Sequence, residues 1–348
     1  MSGSPAEVEI EAIDPRDKSA FDEWFAVWHA IDFERNPEGP GWQYEELHAM
    51  ALDDDGPFER RPLVARRNGA VAGIVGFELP RRENLHLARL ELRVLPEQRR
   101  HGVGTALVEA AEGMAAAAGR TQLVGKDLTP LRADYVDPAA PFARHLGFTV
   151  ALVMVGRRID LPLDAMRADA LRHDPRATPA GYSLLTFADR WPDEDLDDRC
   201  ELGRRMSTDV PTGEAELDEE VWDHARVRAL EALLASQNRA KVITAARDDA
   251  SGRLVGYTEV AVPLGAPESA YQHDTLVMRE HRGHGLGFAM KLANLFAVQG
   301  WHPGVRCIKT ENAEENGPMI AVNADLGFRV VTRSTEWHRP IAPRLHSA

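Results

Sequence analysis

Asp274-Thr-Leu-Val-Met-Arg-Glu-His-Arg-Gly-His-Gly-Leu-Gly-Phe-Ala-Met290 is the stretch from which the rest of the chain can be read. An apolar strand, Thr275 to Met278, runs into Arg282-Gly283-His284-Gly285-Leu286-Gly287. A helix follows, with Leu286, Met290, Ala293 and Ala297 on one face at helical spacing. Strand, glycine loop and helix N-terminus together point backbone N–H groups at an anion. A side chain at these glycines would hold a phosphate away from the backbone. The arrangement recurs 183 residues earlier: Leu90 to Val94 as the strand, Arg99-Arg100-His101-Gly102-Val103-Gly104 as the loop, and Val103, Leu107, Ala110, Ala111 and Met114 as the helix face.

Two common phosphate loops are excluded. Neither copy has the Lys and hydroxyl of G-x-x-x-x-G-K-[ST], and Met290 and Leu107 stand where a dinucleotide loop has its third glycine. What remains, Arg-x-x-Gly-x-Gly in two copies, resembles the pyrophosphate loop of the GNAT superfamily of acyl-CoA-dependent N-acyltransferases. The resemblance implies an α/β (α+β) fold of two tandem domains, each a mixed, mostly antiparallel sheet flanked by helices. It also implies acetyl-CoA, or another acyl-CoA, as cosubstrate. Arg282, Gly283, His284, Gly285, Leu286 and Gly287 would hold it in the second copy, and Arg99, Arg100, His101, Gly102, Val103 and Gly104 in the first. Arg282 and Arg99 would add fixed positive charge near the diphosphate. His284 and His101 share one loop position and read either as phosphate contacts or as solvated loop residues. Val277, Met278 and Val94 would offer backbone groups to pantetheine and the thioester carbonyl.

The chain has 348 residues, 44% hydrophobic and 28% charged, which fits a globular protein of two domains of about 175 residues each. No apolar run approaches the ~18 residues of a membrane span. The N-terminal Met1-Ser-Gly-Ser-Pro-Ala-Glu has neither the basic start nor the apolar stretch of a signal peptide. Two cysteines, Cys200 and Cys307, exclude a disulfide framework and lead us to expect a reducing cytoplasm. A net charge of −14 argues against non-specific nucleic-acid binding and favours a cationic acceptor such as an amine.

Glu7 to Ile13 alternates as an opening strand, and Asp17 to Ala30 carries Phe21, Trp24, Phe25 and Trp28 at helical spacing. The Pro-, Gly- and charge-rich segment 31–44 reads as a loop. Leu63 to Arg66 and Val71 to Leu79 form a hairpin about the Asn68-Gly69 turn signal. A short strand, Gln122 to Val124, and a closing segment, Ala143 to Val155, complete the first unit. Prolines 162, 175 and 179 and Gly181 mark a boundary. The expected division is therefore an N-terminal domain 1–160, a linker 161–181 and a C-terminal domain 182–348. The second unit repeats the order, with a polar loop Ser207 to Gly213 and an acidic helical stretch before its hairpin. Gly76 and Gly256 lie 180 residues apart, Arg99 and Arg282 lie 183 apart, and Gly147 and Gly327 lie 180 apart. Such near-constant spacing indicates a duplicated domain.

Acyl transfer from a thioester to an amine needs a base for the ammonium. Candidates are Glu259 and Asp274 on strands near the second loop, His273 beside Asp274, and Glu91, the counterpart of Asp274 by the 183 offset. Each also reads as a structural or solvated residue. Thr310 to Phe328 resembles the family's segment after the parallel strand, so the resemblance assigns Asn312 and Asn316 to pantetheine. Many members carry a Tyr acid four residues before the glycine of Leu-Gly-Phe; here the position is Asn323, and Ala143 in the first unit. A thiolate of pKa ~8.5 leaves without much help, so this departure leaves the general acid open rather than the reaction. Three prolines in Leu128 to Pro141 are expected to disturb a helix there, which marks the first unit as degenerate or non-catalytic and the second as catalytic. Asp209, in the loop before the second hairpin, is a candidate acceptor contact. Metal ligation has no supporting motif.

The expected function is acetyl transfer from acetyl-CoA to a primary amine of a small molecule, in a ternary complex, with no nucleic-acid or membrane partner. A non-catalytic acyl-CoA sensor and a CoA-thioester hydrolase or decarboxylase are the alternatives. The mycothiol synthases, a tandem group within the superfamily, have a similar plan.

Overall fold

The computed structural model describes residues 7–35, 41–209, 213 and 217–342. Parts of the polar loop 207–213 and of the acidic run 214–220 lie outside them. Packing separates the chain into two units. Unit 1 is built from residues up to Val153 together with those from Ser334 onward, and unit 2 from Met154 to Arg333.

Unit 1 comprises β1 (Val8–Ala12), α1 (Lys18–Arg35), α2 (Tyr44–Ala51), β2 (Phe58–Arg60), β3 (Leu63–Arg67), β4 (Ala70–Pro80), β5 (Leu87–Val94), α3 (Val103–Ala117), β6 (Gln122–Pro130), α4 (Ala139–His145) and the first half of β7 (Thr149–Asp160). Its strands run β1-β3-β4-β5-β6, with β5 and β6 parallel and the earlier pairs antiparallel. The β3–β4 hairpin turns at Asn68 (φ 55°) and Gly69 (φ 77°), the pair of positive φ values that an Asn-Gly turn supplies cheaply. α1 buries Phe21, Trp24, Trp28 and Ile31 on one sheet face at 3–4-residue spacing, and α3 buries Val103, Leu107 and Ala111 on the other.

Unit 2 takes up the second half of β7 and continues through α5 (Ala165–Arg172), β8 (Tyr182–Ala188), α6 (Leu196–Asp209), α7 (His224–Ser236), β9 (Arg239–Asp248), β10 (Leu254–Pro263), β11 (Ser269–Val277), α8 (Leu286–Trp301), β12 (Cys307–Ala313), α9 (Gly317–Leu326) and β13 (Arg329–Pro340). Strands β8 to β11 form an antiparallel series; β11 and β12 are parallel, and β12 pairs antiparallel with β7. The mixed α/β fold of two tandem units is as the sequence leads one to expect.

Several local expectations change. The segment 31–44 is not one loop: Ile31 extends the buried stripe, so α1 runs to Arg35, and α2 begins at Tyr44. Residues 36–40 lie outside the described ones. α4 forms in spite of its prolines because Pro138 is the N-cap and Pro141 falls in the first turn, where no intrahelical N–H is needed. Residues 161–181 do not run as a bare linker. Asp164 caps α5 by accepting from Arg167 N (2.9 Å), and Leu171 enters the core of unit 2.

The packing also divides the chain at other places than 160 and 182. β7 passes from unit 1 into unit 2 between Val153 and Met154, and β13 returns between Arg333 and Ser334. There Asp127 on β6 accepts from Thr335 N (3.0 Å) and from the Trp337 indole N–H (2.8 Å), and Trp337 and Ile341 join the unit 1 core. The counterpart of Gly256 is Gly73 rather than Gly76. Gly73 faces Val94 and Gly256 faces Val277 in the antiparallel pairs, which keeps the offset at 183.

Trp337→Ala is therefore expected to destabilise unit 1, although the residue lies close to the chain's C-terminus. The expected loss is about 3–5 kcal/mol, followed by urea unfolding. An unchanged unit 1 transition would place the boundary elsewhere.

Candidate active site

Both glycine loops present backbone to open space. Gly102 (φ 81°) and Gly285 (φ 75°) are the left-handed N-caps of α3 and α8. One turn of chain earlier, Gly283 has φ 85° and its counterpart Arg100 has φ 67°. No heavy atom lies within 4 Å of where a Cβ would stand at Gly102 or Gly283. The first N–H groups of each helix therefore face outward without a side-chain cap, as an anion site requires.

Beside each loop a parallel strand pair comes apart. β5 and β6 are paired only from Leu87–Gln122 to Leu90–Gly125, and β11 and β12 only from Ser269–Cys307 to Tyr271–Lys309. Beyond those points every second backbone group on β5 and β11 points into a gap. This gap, ending at a helix N-terminus, suits an extended ligand that carries a diphosphate.

The loop arginines also bond within the protein. Arg282 donates through Nε to Val277 O (3.1 Å), and its Nη2 lies 3.1 Å from Asp209. Arg279 also pairs with Asp209 (3.0 Å), whose side chain is only 2% exposed. In unit 1, Arg99 Nε donates to Val94 O (3.2 Å) and Nη2 pairs with Glu34 (2.7 Å). Each arginine thus ties the strand end to the last turn of a helix, and Asp209 serves as the partner of that tie. Met278 N is also taken, donating to Val255 O (2.9 Å). His101 Nδ1 lies 2.9 Å from Arg99 O, and the His284 ring packs 5.5 Å from Tyr182.

Around the candidate bases of unit 2 the interior is crowded. Glu259 is 4% exposed, pairs with Lys241 Nζ (2.8 Å) and accepts from Trp191 Nε1 (3.3 Å). Burial by itself would raise its pKa, but the Lys241 and Arg199 charges outweigh burial and hold the carboxyl at about 2. A carboxylate so held is a poor proton acceptor near neutral pH. Asp274 accepts from the Tyr257 hydroxyl (3.1 Å); burial and the Glu259 carboxylate push its pKa up. His273, next on β11, is exposed. Asn323 is fully buried and donates to Asn312 Oδ1 (2.6 Å), while its own Oδ1 has no partner among the described residues. Asn316 caps α9, accepting from Met319 N (3.2 Å).

Sequence reasoning missed Lys241, Arg199 and Trp191, which face Glu259 from 18 or more residues away in sequence, and Glu34, which pairs with Arg99 from 65 away. It also missed Lys291, buried on α8 at 2% exposure with its pKa brought down to about 7 by burial. The offset of 183 pairs Lys291 with Val108, a polar-for-apolar change on a helix face that the repeat made visible.

In unit 1 the corresponding space is open. A cavity of about 510 Å³ follows the gap from Arg100 and Gly104 past Val108 to Leu90 and Gly125. A second, of about 240 Å³, lies on the α1 side of the sheet and is walled by Trp24, Trp28 and Glu91. The two share Leu90, Gly125 and Lys126 as walls. Gly76, paired with Glu91, allows this: a Cβ there would stand 3.2 Å from the Trp28 ring. By the 183 offset, the residue at the Gly76 position in unit 2 is Glu259. Glu91 is half exposed and 3.2 Å from Arg93. Among the described residues no cluster of three or more His, Cys, Asp or Glu is placed to hold a metal, and no helix is long and apolar enough to cross a membrane.

A mixed sheet with a splayed parallel pair opening onto a left-handed glycine loop is thus built twice. Residues 59–150 match the acetyltransferase (GNAT) domain and residues 206–328 the acetyltransferase (GNAT) family. The chain belongs to the GNAT acetyltransferase family. It is similar to the tandem GNAT protein from the clavulanic acid biosynthesis pathway, solved without acetyl-CoA, at 31% identity and TM-score 0.78 over 97% of this chain and 99% of that one. A GCN5-related N-acetyltransferase from Sphaerobacter thermophilus shares the fold at 18% identity, TM-score 0.65, over 97% and 96%. So does the glucosamine N-acetyltransferase region of a fungal multi-domain GH3 β-N-acetylglucosaminidase, at 15% identity and TM-score 0.64, over 97% of this chain and 38% of that one. No curated protein matches the sequence.

If Glu259 is structural, Glu259→Gln should cost about 3 kcal/mol of stability at pH 7 and leave turnover intact. Because its pKa is depressed from the ordinary 4.5, the stabilisation is present above pH 4.5 and is lost as pH falls towards about 2. Urea unfolding of both forms should converge over that window; a constant difference would contradict the ion-pair account.

Proposed function

We propose that the protein transfers an acyl group, most simply acetyl, from acyl-CoA to a primary amine of a small molecule within a ternary complex, and that the transfer takes place in unit 1. The observation that carries this reading is the pair of cavities meeting at Leu90, Gly125 and Lys126, one along the loop and gap, the other beside Glu91. The sequence favoured unit 2; the buried ion pair of Glu259 there supports unit 1 instead.

Family membership supports acyl-CoA as cosubstrate, and the loop fits it. Outward N–H groups at the start of α3 would take the diphosphate, and the unpaired edge of β5 would run beside the pantetheine. The bound thioester supplies the electrophilic carbonyl. Glu91 takes the proton from the incoming ammonium, directly or through water. A β5 N–H facing the gap would stabilise the oxyanion. Unit 1 has Ala143 at the position where the resemblance expects Tyr, so the thiolate departs unaided.

A second reading keeps the transfer in unit 2, with Asp274 as base; its raised pKa and the Tyr257 hydroxyl favour it. A coenzyme-binding role without turnover would show as thioester binding with no amine-dependent thiol release.

Calorimetric titration of acetyl-CoA should show binding to the full chain. Gly102→Asp places an anion at the N-cap of α3 at a φ that Asp tolerates, and should weaken the unit 1 site at least tenfold. Gly285→Asp should leave that site untouched. Glu91→Gln should lower amine-dependent thiol release about 10²-fold with acetyl-CoA affinity unchanged. If Asp274→Asn has that effect instead, the chemistry belongs to unit 2.

A further inference from the structure

The 240 Å³ cavity of unit 1 restricts what the acceptor can be. Its α1 wall is a ladder of rings, with Phe21 and Trp24 centroids 5.5 Å apart and Trp24 and Trp28 4.9 Å apart. Trp42 adds a third indole. For scale, an engineered apolar cavity of about 150 Å³ takes benzene, so this one has room for roughly ten non-hydrogen atoms.

The cationic wall residues are already engaged. Arg60 pairs with Glu78 (2.7 Å) and donates to Met50 O (3.1 Å), and the Arg89 guanidinium sits 5.2 Å from the Phe58 ring. A ligand rich in hydroxyls, or one carrying a carboxylate, would find few free partners here and would be desolvated at a cost. A single ammonium is served, by Glu91 at the junction with the first cavity and by indole faces. The Trp28 indole N–H, buried in this wall, finds no acceptor among the described residues.

We propose that the acceptor of unit 1 is a compact primary amine on an apolar, preferably aromatic, body of the size of a phenylethylamine, with its ring against the α1 indoles and its nitrogen toward Glu91. This rests on acyl transfer occurring in unit 1. The step forms the amide C–N bond and breaks the thioester C–S bond; Glu91 takes one ammonium proton before attack, the second proton on nitrogen passes to water as the tetrahedral adduct collapses, and the sulfur leaves as CoA thiolate.

The test uses the full chain with acetyl-CoA and three amines, 2-phenylethylamine, glucosamine and spermidine, read by thiol release and by quenching of tryptophan fluorescence. Phenylethylamine should give kcat/KM at least tenfold above both others. Ala51→Trp, which fills the cavity from α2, should raise its KM at least tenfold with acetyl-CoA affinity unchanged. A preference for glucosamine or spermidine, or a KM that Ala51→Trp does not move, overturns the proposal. Quenching by phenylethylamine that Ala51→Trp abolishes, without thiol release, upholds the pocket's ligand class and sinks the transfer reading instead. Neither quenching nor release overturns the pocket assignment itself.

Discussion

The layout of both units depends on parallel strands that stop pairing. A parallel ladder normally continues until one strand ends, because each unpaired backbone group in the interior costs free energy. Here β5 leaves β6 after Leu90 and β11 leaves β12 after Tyr271. Antiparallel partners on the outer side, β4 and β10, hold the departing strands in place, so the gap stays open on one side only. Arg99 and Arg282 brace the end of each strand by bonding its last carbonyl and reaching a carboxylate on a helix. Both bonds fix the end of the strand just ahead of the glycine loop.

One scaffold then supports two different interiors. At Gly76 the absence of a side chain lets the α1 indoles come up to the sheet and leaves a cavity beside Glu91. In unit 2 the same register position holds Glu259, which brings in Lys241 and Trp191. Two charges removed from water are tolerable only as a well-bonded pair, so Glu259 comes with Lys241 as a set rather than alone. Lys291, where unit 1 has Val108, continues the same trend toward a polar interior.

The final strand shows how far chain order and packing can part. β13 begins in unit 2 and ends in unit 1, where Trp337 fills the core and donates to Asp127, 210 residues earlier in the chain. Pro and Gly content located a change of composition at 160–181, yet Asp164 caps a helix there and Leu171 is buried. Composition registers local backbone preference, whereas unit boundaries follow which surfaces are buried together.

The sequence alone determined the duplication, the two strand–loop–helix units and the family, because these are written in short-range terms. Positive φ at Gly102, Gly283 and Gly285 and a helix beginning just after them need only neighbouring residues. Aromatic spacing on α1 and the Asn68-Gly69 turn were legible for the same reason. The tertiary structure decided which charges meet. Asp209 became the partner of Arg279 and Arg282, and Glu259 that of Lys241, through contacts between residues 18 to 73 positions apart. Whether a carboxylate acts as a base or as a buried counter-ion depends on the charges folded against it, and no local pattern carries that information.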